Sequence, residues 1–235
     1  MKKIWAIVKK EIKSFFISPI AYIVIAMFLL ISGYFFSIIV FNTQMADMRI
    51  IFHNMGITLL FISPIITMRT FAEERKLGTI ELLYTSPLTL QEIVFGKYLS
   101  CIVLFLIITG VTLEYPLLLR LFGKPDWGPI LTAYLGFVLL GMTFLAIGVF
   151  ASSLTENQIV ATVVSFSLLL LLWIIGWAGD TVGGILGRFL SSISIYNHFE
   201  DFVKGVVDTK HIIYYLSVIF SAIFLTIKRL EWKRW

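Results

Sequence analysis

The acidic and imidazole side chains of this chain are few, and their spacing does not assemble a catalytic set. Glu73-Glu74 and Glu200-Asp201 are neighbours in sequence. Adjacent side chains diverge on a helix, so neither pair reads as a general acid/base couple. His53, His198 and His211 show no metal-ligand spacing. His53 is expected at the outer boundary of a span. His198 and His211 are candidates to pair with Glu200 or Asp208 in a cap or surface role. The motifs GxxxxGK(S/T), HExxH and GxSxG are missing. The expectation is a chain that is not an enzyme, holds no metal and hydrolyses no nucleotide itself.

Glu114 is the sharpest single acid, a candidate pathway residue. A carboxylate within a span is costly and usually faces protein or water. Counting along a helix from Lys97 puts Glu114 near the far end of a span, at headgroup level, and that reading is favoured. A helix break is expected beside it at Tyr115-Pro116. A mixed set of charges lies in Arg69–Lys97, which holds Arg69, Arg75, Lys76 and Lys97 against Glu73, Glu74, Glu81 and Glu92. Leu77, Ile80, Leu83 and Tyr84 recur at helical spacing, which predicts a short amphipathic helix ended by Ser86-Pro87. Thr89-x-x-Glu92 then forms a capping box that opens a new helix from Leu90. A short helix held between tight connections can transmit a push, with apolar residues for contact and charges for register. The alternative is a solvated loop with incidental helicity.

The elements that must position this insert are long apolar runs. Hydrophobic residues make up 59% of the chain and charged residues 14%, against about 25% charged in a soluble domain. Ala21–Phe41, Ile50–Met68, Tyr98–Leu113 with its continuation to Leu119, Gly128–Thr155, Asn157–Gly179 and Ile212–Ile227 each suit a membrane-spanning helix. One domain over 1–235, all-α and integral to a membrane with six spans, is the expected fold. The first run has no small-residue cleavage site after it and should remain as a span. Cys101 lies in an apolar run and reads as a small buried hydrophobe. The net charge of +5 is not a nucleic-acid signature, because the basic residues cluster at segment ends.

Lys and Arg bias sets the orientation. With both ends inside, Lys2, Lys3, Lys9, Lys10, Lys13, the four basic residues of the insert and Lys228, Arg229, Lys233 and Arg234 outnumber Arg49, Arg120, Lys124, Arg188, Lys204 and Lys210 outside. Within Lys2–Phe16, Ile4, Ile7, Val8, Ile12 and Phe15 recur at helical spacing between lysines, as in a helix lying on the inner surface. An ordinary basic flank is the alternative. Ser18-Pro19 turns the chain into the bilayer. Asp180–Lys210 is expected to form two short outer helices, the second capped at Asn197 with Glu200 three residues on. Gly136, Gly141 and Gly148 give the fourth run a small-residue face, most simply for internal packing. Trp5, Trp127, Trp173 and Trp177 fit interfacial belts, and Trp232 and Trp235 fit a C-terminal anchor.

The insert FAEERKLGTIELLYTSPLTLQEIVFGKYLS at Phe71–Ser100 resembles the segment between the second and third spans of type-2 ABC transporter permeases, in particular the gliding-associated and copper-enzyme-maturation group of the GldF/NosY kind. GKPDWGPILTAYLGFVLLG at Gly123–Gly141, AIGVFASSLTENQIVA at Ala146–Ala161, HFEDFVKGVVD at His198–Asp208 and LEWKRW at Leu230–Trp235 agree in order and spacing, nearly end to end. The resemblance implies a permease that dimerises with a second copy or a paralogue and binds a separate ABC ATPase, which would hold the ATP and Mg. It implies an exporter in the inner membrane. Residues 1–19 would be the elbow helix, 69–97 the cytoplasmic coupling insert and 180–210 an outer re-entrant element. The ATPase-coupling role falls on Glu73, Glu74, Arg75, Gly78, Thr79, Glu81 and Leu82. Ser152–Gln158, with Thr155, Glu156, Asn157 and Gln158 at its tip, would make a second cytoplasmic contact. A rival reading keeps the ATPase but uses its motion to drive an accessory envelope protein, with nothing transported. An intramembrane lipid enzyme is disfavoured by the missing catalytic set. The apolar spans lean toward lipid-like or amphipathic cargo.

Overall fold

The computed structural model describes residues 2–43, 47–85 and 87–232, with 43, 82–84, 122 and 180 described by their backbone alone. Twelve helices and no strand occur among the described residues. Six helical stretches are long and apolar enough to cross a membrane: Pro19–Asn42, Arg49–Lys76, Leu90–Leu121, Trp127–Leu154, Gln158–Gly179 and Thr209–Trp232. The all-helical, six-span expectation is met. The last helix runs well past both ends of the expected Ile212–Ile227.

Helix α1 (Lys2–Ile17) buries Ile7, Val8 and Phe15 and leaves its lysines exposed, the amphipathic pattern read from sequence. It stops at Ser18, and Pro19 occupies the first position of α2 (Pro19–Thr43), where its missing N–H costs nothing. Helix α3 (Arg49–Thr67) contains Pro64 and passes through Met68 into α4 (Arg69–Lys76). After a turn comes α5 (Ile80–Thr85). Helix α6 (Leu90–Thr112) opens on the expected capping box: Thr89 accepts from the Glu92 N–H, and Glu92 accepts from the Thr89 N–H. The break beside Glu114 falls at Leu113, and α7 (Glu114–Phe122) carries Pro116 in its first turn, where proline is tolerated.

Helix α8 (Trp127–Leu154) is the axis of the bundle; it packs against α3, α4, α6 and α12. Its glycines serve contacts within the chain. A Cβ on Gly136 would meet Phe202, one on Gly141 would meet Phe105, and one on Gly148 would meet Thr67, all under 3.0 Å. These glycines let side chains of neighbouring helices sit directly against the α8 backbone. Helix α9 (Gln158–Val182) is followed by α10 (Gly184–Ile193), which folds back along it: a Cβ on Gly187 would lie 2.5 Å from the Gly179 carbonyl. Helix α11 (Ile195–Val203) then leads to α12 (Thr209–Trp232).

Three expectations at this end need correction. The cap of α11 is Ser194, in extended conformation with its hydroxyl accepting from the Asn197 N–H, so Asn197 is already inside the helix. Trp173 does not face outward as a belt residue would. It is 9% exposed, packed against Phe144, Tyr196 and the open face of Gly56. Trp5, Trp127 and Trp177 are exposed. His211 is buried, not at the surface, and its partners are His198 and Asp201 in place of Glu200 or Asp208.

Candidate coupling site between helix α1 and the charged insert

The site is built on the junction of α3 and α4. A helix start leaves four N–H groups without partners. Here the hydroxyl of Ser152, on the last turn of α8 and fully buried, accepts from the N–H groups of Phe71 and Ala72, each at 3.1 Å. It donates to the Met68 carbonyl at 3.0 Å. One side chain thus binds both sides of the break. Beneath it, the Thr67 hydroxyl occupies the space that Gly148 leaves free. Helix α4 is therefore fixed to α8 along its length, with Thr70, Phe71, Ala72 and Arg75 buried.

The other face of α4 is held by charge. Lys97 lies two turns into α6, about 10 Å from its capped start, with 2% of its side chain exposed. An isolated ammonium there would be costly. Its Nζ donates to Glu11 on α1 at 3.1 Å and meets Glu74 on α4 at 2.8 Å. Exposed Lys10 reaches the same two carboxylate oxygens at 3.2 and 3.3 Å. Two ammonium groups and two carboxylates share one compact cluster drawn from three helices. Burial pushes the Glu11 carboxyl up, but Lys97 and Lys10 outweigh it and hold the group below 4.5. Burial lowers Lys10, and Glu11 with Glu74 more than offset it. The adjacent Glu73 points elsewhere, to Arg69 at 3.5 Å, as divergence on a helix requires.

Beyond this cluster α4 ends. Leu77 closes the helix and Gly78 adopts φ +69°, the left-handed region that side chains enter at a cost of about 1–2 kcal/mol. The predicted short helix is thus α5, starting at Ile80, with Leu77 left in the turn. Gly78, Thr79 and Glu81 are exposed at the tip. The side chain of Leu82 lies outside the described residues, as do those of Leu83 and Tyr84, the predicted stop at Ser86 and the C-terminal Lys233, Arg234 and Trp235. On the far side, Lys3 of α1 donates to the Pro87 carbonyl at 2.7 Å. Between α1 and α4 a cavity of about 410 Å³ opens, lined by Lys10, Ser14, Glu73, Leu77 and Thr79 among others.

The structure brings Glu73, Glu74, Gly78, Thr79 and Glu81 onto one arm, with Arg75 turned inward at 9% exposed. The second predicted contact is the turn between α8 and α9. Asn157 caps α9 by accepting from the Ile159 N–H, Thr155 accepts from the Asn157 N–H, and Glu156 is exposed. That turn adjoins the α3–α4 junction, where the Thr162 hydroxyl reaches the Met68 sulfur at 3.2 Å. Glu114 is exposed at the start of α7 and takes no part in either group. Sequence reasoning missed Lys97, Glu11 and Ser152 as structural partners. The signal for Lys97 was a lysine following Gly96 within an otherwise apolar helix.

A comparison with curated proteins finds no match. Residues 5–225 match the family described as ABC-2 family transporter protein, and the chain belongs to that family as a membrane-spanning permease component.

Proposed function

We propose that this chain is the permease subunit of an ATP-driven exporter, moved by a separate ABC ATPase that binds ATP and Mg. Two permease copies pair, each seating one ATPase on its insert, with the insert and both termini on the cytoplasmic side of the inner membrane. The observation that carries the reading is the arm itself: α4 is immobilised by Ser152 and Glu74, while the Gly78 turn presents Glu81 to solvent. A fixed arm with an exposed tip transmits force, and a solvated loop does not. The Lys and Arg asymmetry supports the orientation. The cavity beside Thr79 offers room for a partner side chain. Exposed apolar faces on α2 and α9, whose spans are 33% and 28% buried, are available to lipid or a second copy. The likeness of Phe71–Ser100 to gliding-associated and copper-enzyme-maturation permeases supports that narrower assignment.

The test is co-purification in nanodiscs of wild type and a Gly78→Pro, Glu81→Arg double variant. The reading expects an ABC ATPase, identified by its Walker motif in mass spectrometry, with the wild type and its loss with a folded variant. Wild type purified without any ATPase would overturn it. Hydrolysis stimulated by cargo then separates transport from force transmission alone.

A further inference from the structure

The elbow helix grips the charged insert at both ends. Lys10 reaches Glu74 before the Gly78 turn, and Lys3 holds the Pro87 carbonyl after α5. Lys3 and Lys10 are seven residues apart, two turns along one face, about 10 Å. Chain segments joined only by a turn would wander independently. Here the two ends are pinned to one rigid rod. That rod is itself seated without play: a Cβ on Gly96 of α6 would lie 2.8 Å from Ile7. Lys97 then ties the rod to α4 through a shared pair of carboxylates, Glu11 and Glu74, inside protein.

From this we infer that α1 is a splint for the insert, and that Lys97, with Lys3 and Lys10, is a positioning residue that makes α1, α4 and α6 move as one body. The inference rests on the proposed coupling role of the insert for its functional meaning, but its geometry stands without a partner. The cluster suits a mechanical joint. Lys10 stays in solvent while Glu11, Glu74 and Lys97 are shielded from it, so separating Lys97 from either carboxylate strands a buried charge. A load on α5 would therefore reach α3 through α4 and α6 through Lys97 at the same time.

The experiment is electron–electron distance measurement between spin labels at Lys9→Cys and Lys76→Cys, both exposed, in a Cys101→Ala background in nanodiscs. The intact chain gives one narrow distribution, and Lys97→Arg keeps it. Lys97→Met broadens it and adds longer distances. Should Lys97→Met fail to fold, the double variant Lys3→Gln, Lys10→Gln, which alters only exposed ammonium groups, broadens it in the same sense. A folded Lys97→Met, or the double variant, with the narrow peak unchanged overturns the splint. Where the ATPase co-purifies, the same variants retain it but lose stimulated hydrolysis on the order of tenfold. An unaltered distance distribution is thus a failure of the splint, whereas wild type without an ATPase is a failure of the coupling reading.

Discussion

Lys97 Nζ lies 2.8 Å from Glu74 Oε1, with 98% of the lysine side chain out of solvent, since only 2% is exposed. Removing the ammonium leaves Glu11 and Glu74 facing each other with only exposed Lys10 between them. Lys97→Met should therefore cost roughly 3 kcal/mol, read as a lowered unfolding midpoint in detergent, while Lys97→Arg keeps most of the stability. A Lys97→Met chain as stable as wild type would remove the charge cluster from the account.

Ser152→Ala removes the hydroxyl that accepts from the Phe71 and Ala72 N–H groups and donates to the Met68 carbonyl at the α3–α4 junction. Buried groups left unpaired cost about 1–3 kcal/mol each in the usual case. Hydrogen exchange should rise at Phe71 and Ala72 ahead of the core of α8. Equal exchange in both proteins would show that the α4 start does not depend on this hydroxyl.

Gly148→Ala and Gly110→Ala form a matched pair. The first would drive its Cβ to 2.1 Å from Thr67 Oγ1, and the second meets nothing within 4 Å. Overpacking costs about 1–3 kcal/mol, so the first variant should melt earlier and the second should match wild type or exceed it.

At the opposite end of the bundle, His198 packs against Tyr214, pairs with His211 and contacts the Ser192 carbonyl. Burial, with help from His211 and Lys210, holds its imidazole below 6.5 against the opposing pull of Ser192 and Asp201. The folded state thus binds its proton less readily than the unfolded one. Its stability contribution is complete above pH 6.5 and is lost as pH falls through the depressed value. The unfolding midpoint of wild type should drop between about pH 7 and 5, and His198→Gln should flatten that slope.

Much of this architecture was legible in the chain. Apolar runs, the Thr89–Glu92 box and Ser18-Pro19 are local signals, and local signals fix where helices start and stop. The short helix after Gly78 was also visible, although its periodicity could not tell Leu77 in a turn from Leu77 in the helix. What escaped was pairing across the sequence. Lys97 looked like an orientation charge because its partners lie at positions 11 and 74, and no periodicity relates the three. Trp173 was misassigned because a tryptophan near a span end has two uses. The space left by Gly56, on a different helix, decides between them.

The proposed coupling requires that the tip of the insert touch an ABC ATPase. The most direct measurement is a photo-crosslinking amino acid at Glu81, with a control at Trp177 on the other end of the bundle, irradiated in native membranes containing ATP and Mg. An adduct is expected between the Glu81 probe and an ABC ATPase, and none from Trp177. A Glu81 probe that reacts only with lipid or solvent, while an ATPase still co-purifies with the chain, would contradict it.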